Sequence, residues 1–208
     1  MLALFSAAIF VSAFLLFMVQ PMAAKGILPL LGGSPAVWNT CMVFFQALLL
    51  AGYAYAHGLS RLKNRRTQII IHLVIILAAA AMLPIAVPSG WSPPSEGGEN
   101  IWLLKLLAVM VGAPFFLLAT TGPLVQSWFS ATGHKSSSDP YFLYAASNAG
   151  SFLGLLGYPL LVEPLLGLRV QGWVWSAGFG VLAPLLIACG VVAARRSASL
   201  ADPARLDA

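Results

Sequence analysis

Asp139-Pro140-Tyr141-Phe142-Leu143-Tyr144-Ala145-Ala146-Ser147-Asn148-Ala149-Gly150-Ser151, continued by an apolar run through Tyr158-Pro159 to Glu163-Pro164 and Gly167, is the stretch on which the fold turns. Asp139-Pro140 reads as a helix start. The segment that follows, Tyr141 to about Leu165, is long enough to cross a hydrocarbon core of roughly 30 Å at 1.5 Å per residue. Along it, Gly150 and Gly154 form a G-x-x-x-G pair, Ser147 and Ser151 a parallel row of small residues, and Gly157 follows one turn on. Small residues let helix backbones approach closely in lipid, where dispersion replaces the hydrophobic drive. Gly150, Ser151, Gly154 and Gly157 are therefore assigned to helix packing, inside one bundle or at a dimer face.

The rest of the chain is of the same kind. Among 208 residues 60% are hydrophobic and 8% charged, with a mean hydropathy of +0.89, far from the roughly 25% charged residues of soluble domains. Five further stretches have spanning length: about Leu2 to Ala23, Ala36 to Leu59, Thr67 to Val87, Ile101 to Ser130 and Val170 to Ala194. Ser34-Pro35 suits a helix start before the second. Gly112-Ala113-Pro114 and Gly122-Pro123 predict kinks in the fourth. The basic cluster Arg61, Lys63, Arg65 and Arg66 places the second connection in the cytoplasm, and the acidic loop Pro88 to Asn100 falls outside. The expected fold class is an all-α integral membrane protein of six transmembrane helices, a half-major-facilitator-like bundle with N- and C-termini cytoplasmic. Residues 1–196 form the transmembrane domain and 197–208 a short disordered cytoplasmic tail. The expected location is the bacterial inner membrane, with the bilayer as first partner and the first span retained rather than cleaved.

Several function classes fall away. The net charge of +5 is spread in short clusters beside spans, so no nucleic-acid partner is expected. Cys41 and Cys189 lie in apolar spans without metal-ligand or disulfide spacing. No cofactor, metal or catalytic residue is assigned, and the chain is expected not to be an enzyme, since no soluble catalytic constellation is present.

Polar groups inside spans are the candidate site. Tyr144, Ser147, Asn148 and Ser151 share one helical face, and such groups turn toward a bundle interior or a wet cavity. Glu163 is the one acid within an expected span. An unpaired carboxylate in hydrocarbon is costly, so Glu163 is expected to pair with Lys25 or Lys105, Lys25 being favoured. The full substrate-binding set is Gln20, Lys25, Asn39, Gln46, Tyr144, Asn148 and Glu163. His57 and His72, both near cytoplasmic ends, leave open a bis-histidine haem.

Three stretches carry a family likeness: Gln20-Pro21-Met22-Ala23-Ala24-Lys25 through Pro29-Leu30-Leu31-Gly32-Gly33-Ser34-Pro35-Ala36-Val37-Trp38-Asn39; Phe44-Phe45-Gln46 to Gly52-Tyr53-Ala54-Tyr55-Ala56-His57; and Thr120-Thr121-Gly122-Pro123-Leu124-Val125-Gln126-Ser127-Trp128-Phe129 joined to the opening stretch. Together they resemble the transmembrane part of the fused major-facilitator/spermidine synthase family of bacterial membrane proteins. The resemblance implies a bundle similar to half of a major-facilitator transporter. In that family a spermidine-synthase-like domain usually follows; here the chain reaches Ala208 first, so aminopropyl transfer is not expected of it. Arg65-Arg66 match the basic end of the family's second loop, whereas Arg61 stands in place of an acid and Asn64 in place of a glycine. The expected function is a half-transporter-like module that binds or moves a small molecule, a cation or polyamine among the candidates, as a homo-oligomer. An accessory subunit gripping another membrane protein through the glycine face, and an electron carrier using His57 and His72, are the alternatives.

Overall fold

The computed structural model describes residues 1–137 and 139–201, and those residues are helical and without strands. Six helices follow in order: α1 (Leu2–Leu31), α2 (Pro35–Ser60), α3 (Arg65–Ala80), α4 (Glu99–Ser130), α5 (Tyr141–Leu165) and α6 (Leu168–Ala201). All except α3 are long and apolar enough to cross a membrane. The start of α2 is built as the sequence suggests. Pro35 occupies the first turn, where its missing amide costs nothing, and the Ser34 side chain accepts from the Val37 amide at 3.3 Å.

Three helix ends differ from the sequence reading. α1 continues through Pro21 and Pro29 to Leu31, so the expected long turn shrinks to Gly32–Ser34, with Gly32 at φ 71°. α3 ends at Ala80, seven residues before the expected Val87. The reason is Pro84, which lacks an amide donor, clashes with the carbonyl four residues back and disfavours helix at the residue before it. Met82 to Val87 instead form an irregular strap over the ends of α1 and α6, and a Cβ on Gly172 of α6 would come within 2.5 Å of the Ile85 carbonyl. α6 runs past the expected Ala194 to Ala201, so 197–201 are helical; the remainder of the expected tail, 202–208, lies outside the described residues. Asp139 makes no side-chain cap on α5.

Prolines reshape α4 and α5 without breaking them. A π-helical turn, Ala108–Gly112, precedes Pro114, and a second, Tyr158–Val162, contains Pro159. An extra residue in the turn absorbs the missing amide, and such bulges cluster at functional sites.

α1 and α4 form the buried centre and cross antiparallel. Phe5 packs edge-on against Phe129, and the Ser12 hydroxyl lies 3.4 Å from the Leu118 carbonyl. α5 lies along α1 as α2 lies along α4, while α6 backs α1 as α3 backs α4. Exchanging the first three helices with the last three therefore reproduces the main packing. In sequence the exchange is a shift of 102 positions, which carries Pro21 onto Pro123, Gln46 onto Asn148 and Gly52 onto Gly154. A unit with three helices reverses direction at its repeat, which makes this an inverted-repeat arrangement.

The glycines mark where the two halves of this pattern close. A Cβ on Gly150 would strike the Phe10 carbonyl, and one on Gly154 would lie 2.5 Å from the Phe14 carbonyl, both on α1. Gly52 makes the matching approach on α2, 2.6 Å from the Ala119 Cβ. The G-x-x-x-G pair is thus used within the chain, while Gly157 has open space beside it and Ser151 bonds back to the Ser147 carbonyl at 2.6 Å.

Candidate functional site

A groove runs along α1 between α2 and α5. Its deeper part is a cavity of about 150 Å³ where α1 and α4 cross, lined by Ser12, Ala13 and Phe17 of α1, Leu49 and Tyr53 of α2, Ala119, Gly122 and Pro123 of α4, and Ser147 of α5. Proline cannot donate to the carbonyl four residues before it. Pro21 therefore releases the Phe17 carbonyl, and Pro123 releases that of Ala119. Both Phe17 and Ala119 line this one cavity, and they are the same position in the two repeats, 102 residues apart. Freed backbone carbonyls lining a cavity are acceptors for a cation or a hydrogen-bond donor.

The second part of the groove is a cavity of about 290 Å³ at the C-terminal end of α1, lined by Pro21, Ala24, Lys25, Leu28, Trp38, Leu155, Tyr158, Pro159 and Glu163. Here the Lys25 ammonium meets the Glu163 carboxylate at 2.9 Å. The π-turn Tyr158–Val162 carries Glu163 to this wall, and α1 and α5 run parallel so that residue 25 reaches residue 163. Lys105, the other expected base, is not the partner. The side chains are 33% and 43% exposed, so the pair contributes little to stability and remains open to exchange with a ligand. Behind it, the buried Tyr158 hydroxyl donates to Gln171 Oε1 at 3.1 Å, and Gln171 Nε2 donates to the Leu166 carbonyl at 2.8 Å. This chain of bonds fixes the α5–α6 corner.

Of the seven residues assigned from sequence, Lys25 and Glu163 line a cavity and touch each other. Gln20 is half-buried on α1, between the two cavities along the helix. Asn39 and Gln46 are exposed on α2, and Tyr144 and Asn148 on α5, and none of the four lines either cavity. Ser12, Tyr53, Ser147 and the Phe17 and Ala119 carbonyls were not assigned. The signal for the carbonyls is present as the two prolines at one repeat spacing.

The histidines do not come together. His57 is exposed, whereas His72 is 1% exposed, with Nδ1 3.5 Å from the Tyr55 hydroxyl and Nε2 without a partner. Its neighbour Gln68, fully buried, joins three elements. Gln68 Nε2 donates to the Leu62 carbonyl at 2.6 Å, while its Oε1 accepts from Arg65 Nη1 at 2.9 Å and Trp128 Nε1 at 3.0 Å. Among the described residues no cluster of His, Cys, Asp or Glu has the make-up of a metal site.

Comparison with known proteins adds one direction. No family model matches the chain, and no solved structure matches it. A polyamine aminopropyltransferase of Corynebacterium efficiens is 31% identical over 96 residues, which is 44% of this chain and 18% of that protein. The activity in that name belongs to the relative. The chain spans less than a fifth of the relative's length.

Proposed function

We propose that this chain is a membrane module that binds a small organic cation of the polyamine class in the groove between α2 and α5, as one half of a transporter-like dimer. The observation that carries the reading is the pair of cavities along α1, one lined by Phe17 and Ala119, whose carbonyls lose a helical donor to Pro21 and Pro123, and the other by the Glu163 carboxylate. Phe17 and Lys25 are eight residues apart on α1, roughly 12 Å at 1.5 Å per residue. A flexible chain with an ammonium at each end satisfies both, the far ammonium taking the place of Lys25 on Glu163. The relative's name supplies the class of amine. The three-plus-three helix pattern supports a half-major-facilitator-like fold, in which sites lie at the repeat interface and two six-helix halves complete the transporter. The basic Arg61 to Arg66 connection supports a cytoplasmic side for that end, and with it for both termini, in a bacterial inner membrane.

Calorimetry of the purified protein with spermidine tests the site. Wild type is expected to bind, Glu163→Gln to bind about tenfold more weakly through loss of one charge-assisted contact, and Lys25→Met to bind more tightly because the competing ammonium is gone. An unchanged affinity in Glu163→Gln, or a weaker one in Lys25→Met, overturns the assignment. Native mass spectrometry in detergent is expected to give a dimer at micromolar concentration; a monomer there removes the dimeric half of the reading. Gly150 and Gly154 face α1 of the same chain, so an accessory subunit would have to grip its partner beyond them, where Gly157 has open space beside it.

A further inference from the structure

A further cavity lies on the other side of α1, away from the groove. It measures about 460 Å³ and opens between the strap Met82 to Val87, the C-terminal part of α1, the middle of α4 and the start of α6. That size falls within the roughly 300–1,000 Å³ of ordinary ligand pockets. Its floor is apolar and buried, formed by Met22, Ala23, Ile85 and Met110. Arg169 and the exposed Trp173 stand at its mouth.

Two features give the mouth a chemical preference. Arg169 has no acidic partner among the described residues. The strap is irregular backbone, and Ile85, Ala86 and Val87 make no backbone hydrogen bond among the described residues, although Ile85 is buried. In a chain of this hydropathy, backbone of that kind persists only where protein or a lined cavity satisfies it. A guanidinium presents a planar fork that matches phosphate oxygens. Methionines on the floor adapt to a flexible apolar chain.

We propose that this cavity holds an anionic phospholipid drawn from the bilayer, its phosphate on Arg169 and the strap amides and one acyl chain over Met22 and Met110. The site is separate from the groove and does not depend on the cation reading. Native mass spectrometry of the protein exchanged into micelles doped equally with phosphatidylglycerol and phosphatidylcholine tests it. Wild type is expected to retain phosphatidylglycerol about tenfold over phosphatidylcholine. Arg169→Gln, an exposed change that leaves packing intact, is expected to abolish that preference while still retaining lipid. Gly26→Leu, which pushes bulk from α1 toward Val87, is expected to lower retention of both lipids. Equal retention of the two by wild type, or an undiminished preference in Arg169→Gln, overturns the proposal.

Discussion

Gly154→Leu is expected to cost about 3 kcal/mol or more and to leave little folded protein. The first new carbon meets the Phe14 carbonyl at 2.5 Å, and that atom belongs to a helix backbone held by its own hydrogen bonds. A flexible side chain gives way cheaply; a backbone carbonyl does not. Gly157→Leu, three residues further along the same helix and beside open space, is expected to change stability by less than about 0.5 kcal/mol. Unfolding of the purified variants by titration with a denaturing detergent, followed by circular dichroism, separates the two. Equal losses at positions 154 and 157 would show that the α1–α5 contact is not where the glycines act.

The second large effect is expected at Gln68→Leu, at about 3 kcal/mol. The side chain is fully buried, and its removal leaves Trp128 Nε1 and the Leu62 carbonyl without partners while also releasing Arg65. Each orphaned buried group costs roughly 1–3 kcal/mol, and a linked network loses more than one bond at a time. Trp128→Phe removes one donor from the same network and is expected to cost less than half as much. Phenylalanine also leaves a small cavity where the second indole ring packed, so a loss comparable to that of Gln68→Leu would assign the effect to packing rather than to the network.

The sequence was read well where one residue type decides one local outcome. Long apolar runs gave five helices of spanning length, Ser34-Pro35 gave the start of α2, and Glu163, the one acid in its span, pairs with Lys25 because a charge in an apolar segment favours an opposite one. Reading failed where the outcome depends on two distant segments. The third helix looked continuous to Val87 because Pro84 sits in an unbroken apolar run, and hydropathy does not register a missing amide. Of the expected polar set Gln20, Lys25, Asn39, Gln46, Tyr144, Asn148 and Glu163, two, Lys25 and Glu163, line a cavity, while Asn39, Gln46, Tyr144 and Asn148 are exposed on α2 and α5. The deeper cavity is lined instead by Phe17 and Ala119, the residues whose carbonyls Pro21 and Pro123 leave without an amide donor, and such acceptors carry no letter of their own. Their trace is the proline four residues on, at positions 21 and 123, and it becomes legible only once the 102-residue repeat is seen.

The shortness of α3 has a mechanical consequence for the lipid around it. Sixteen helical residues reach about 24 Å, while a bilayer core is roughly 30 Å thick. A segment that falls short draws the membrane surface inward beside it at a modest cost per ångström of mismatch. In a bilayer such a dimple is expected where the strap crosses from α3, next to Arg169 and Trp173. Headgroups there would sit lower than elsewhere around the protein, and the route from the leaflet to that mouth would be shortened by the bundle's own uneven height.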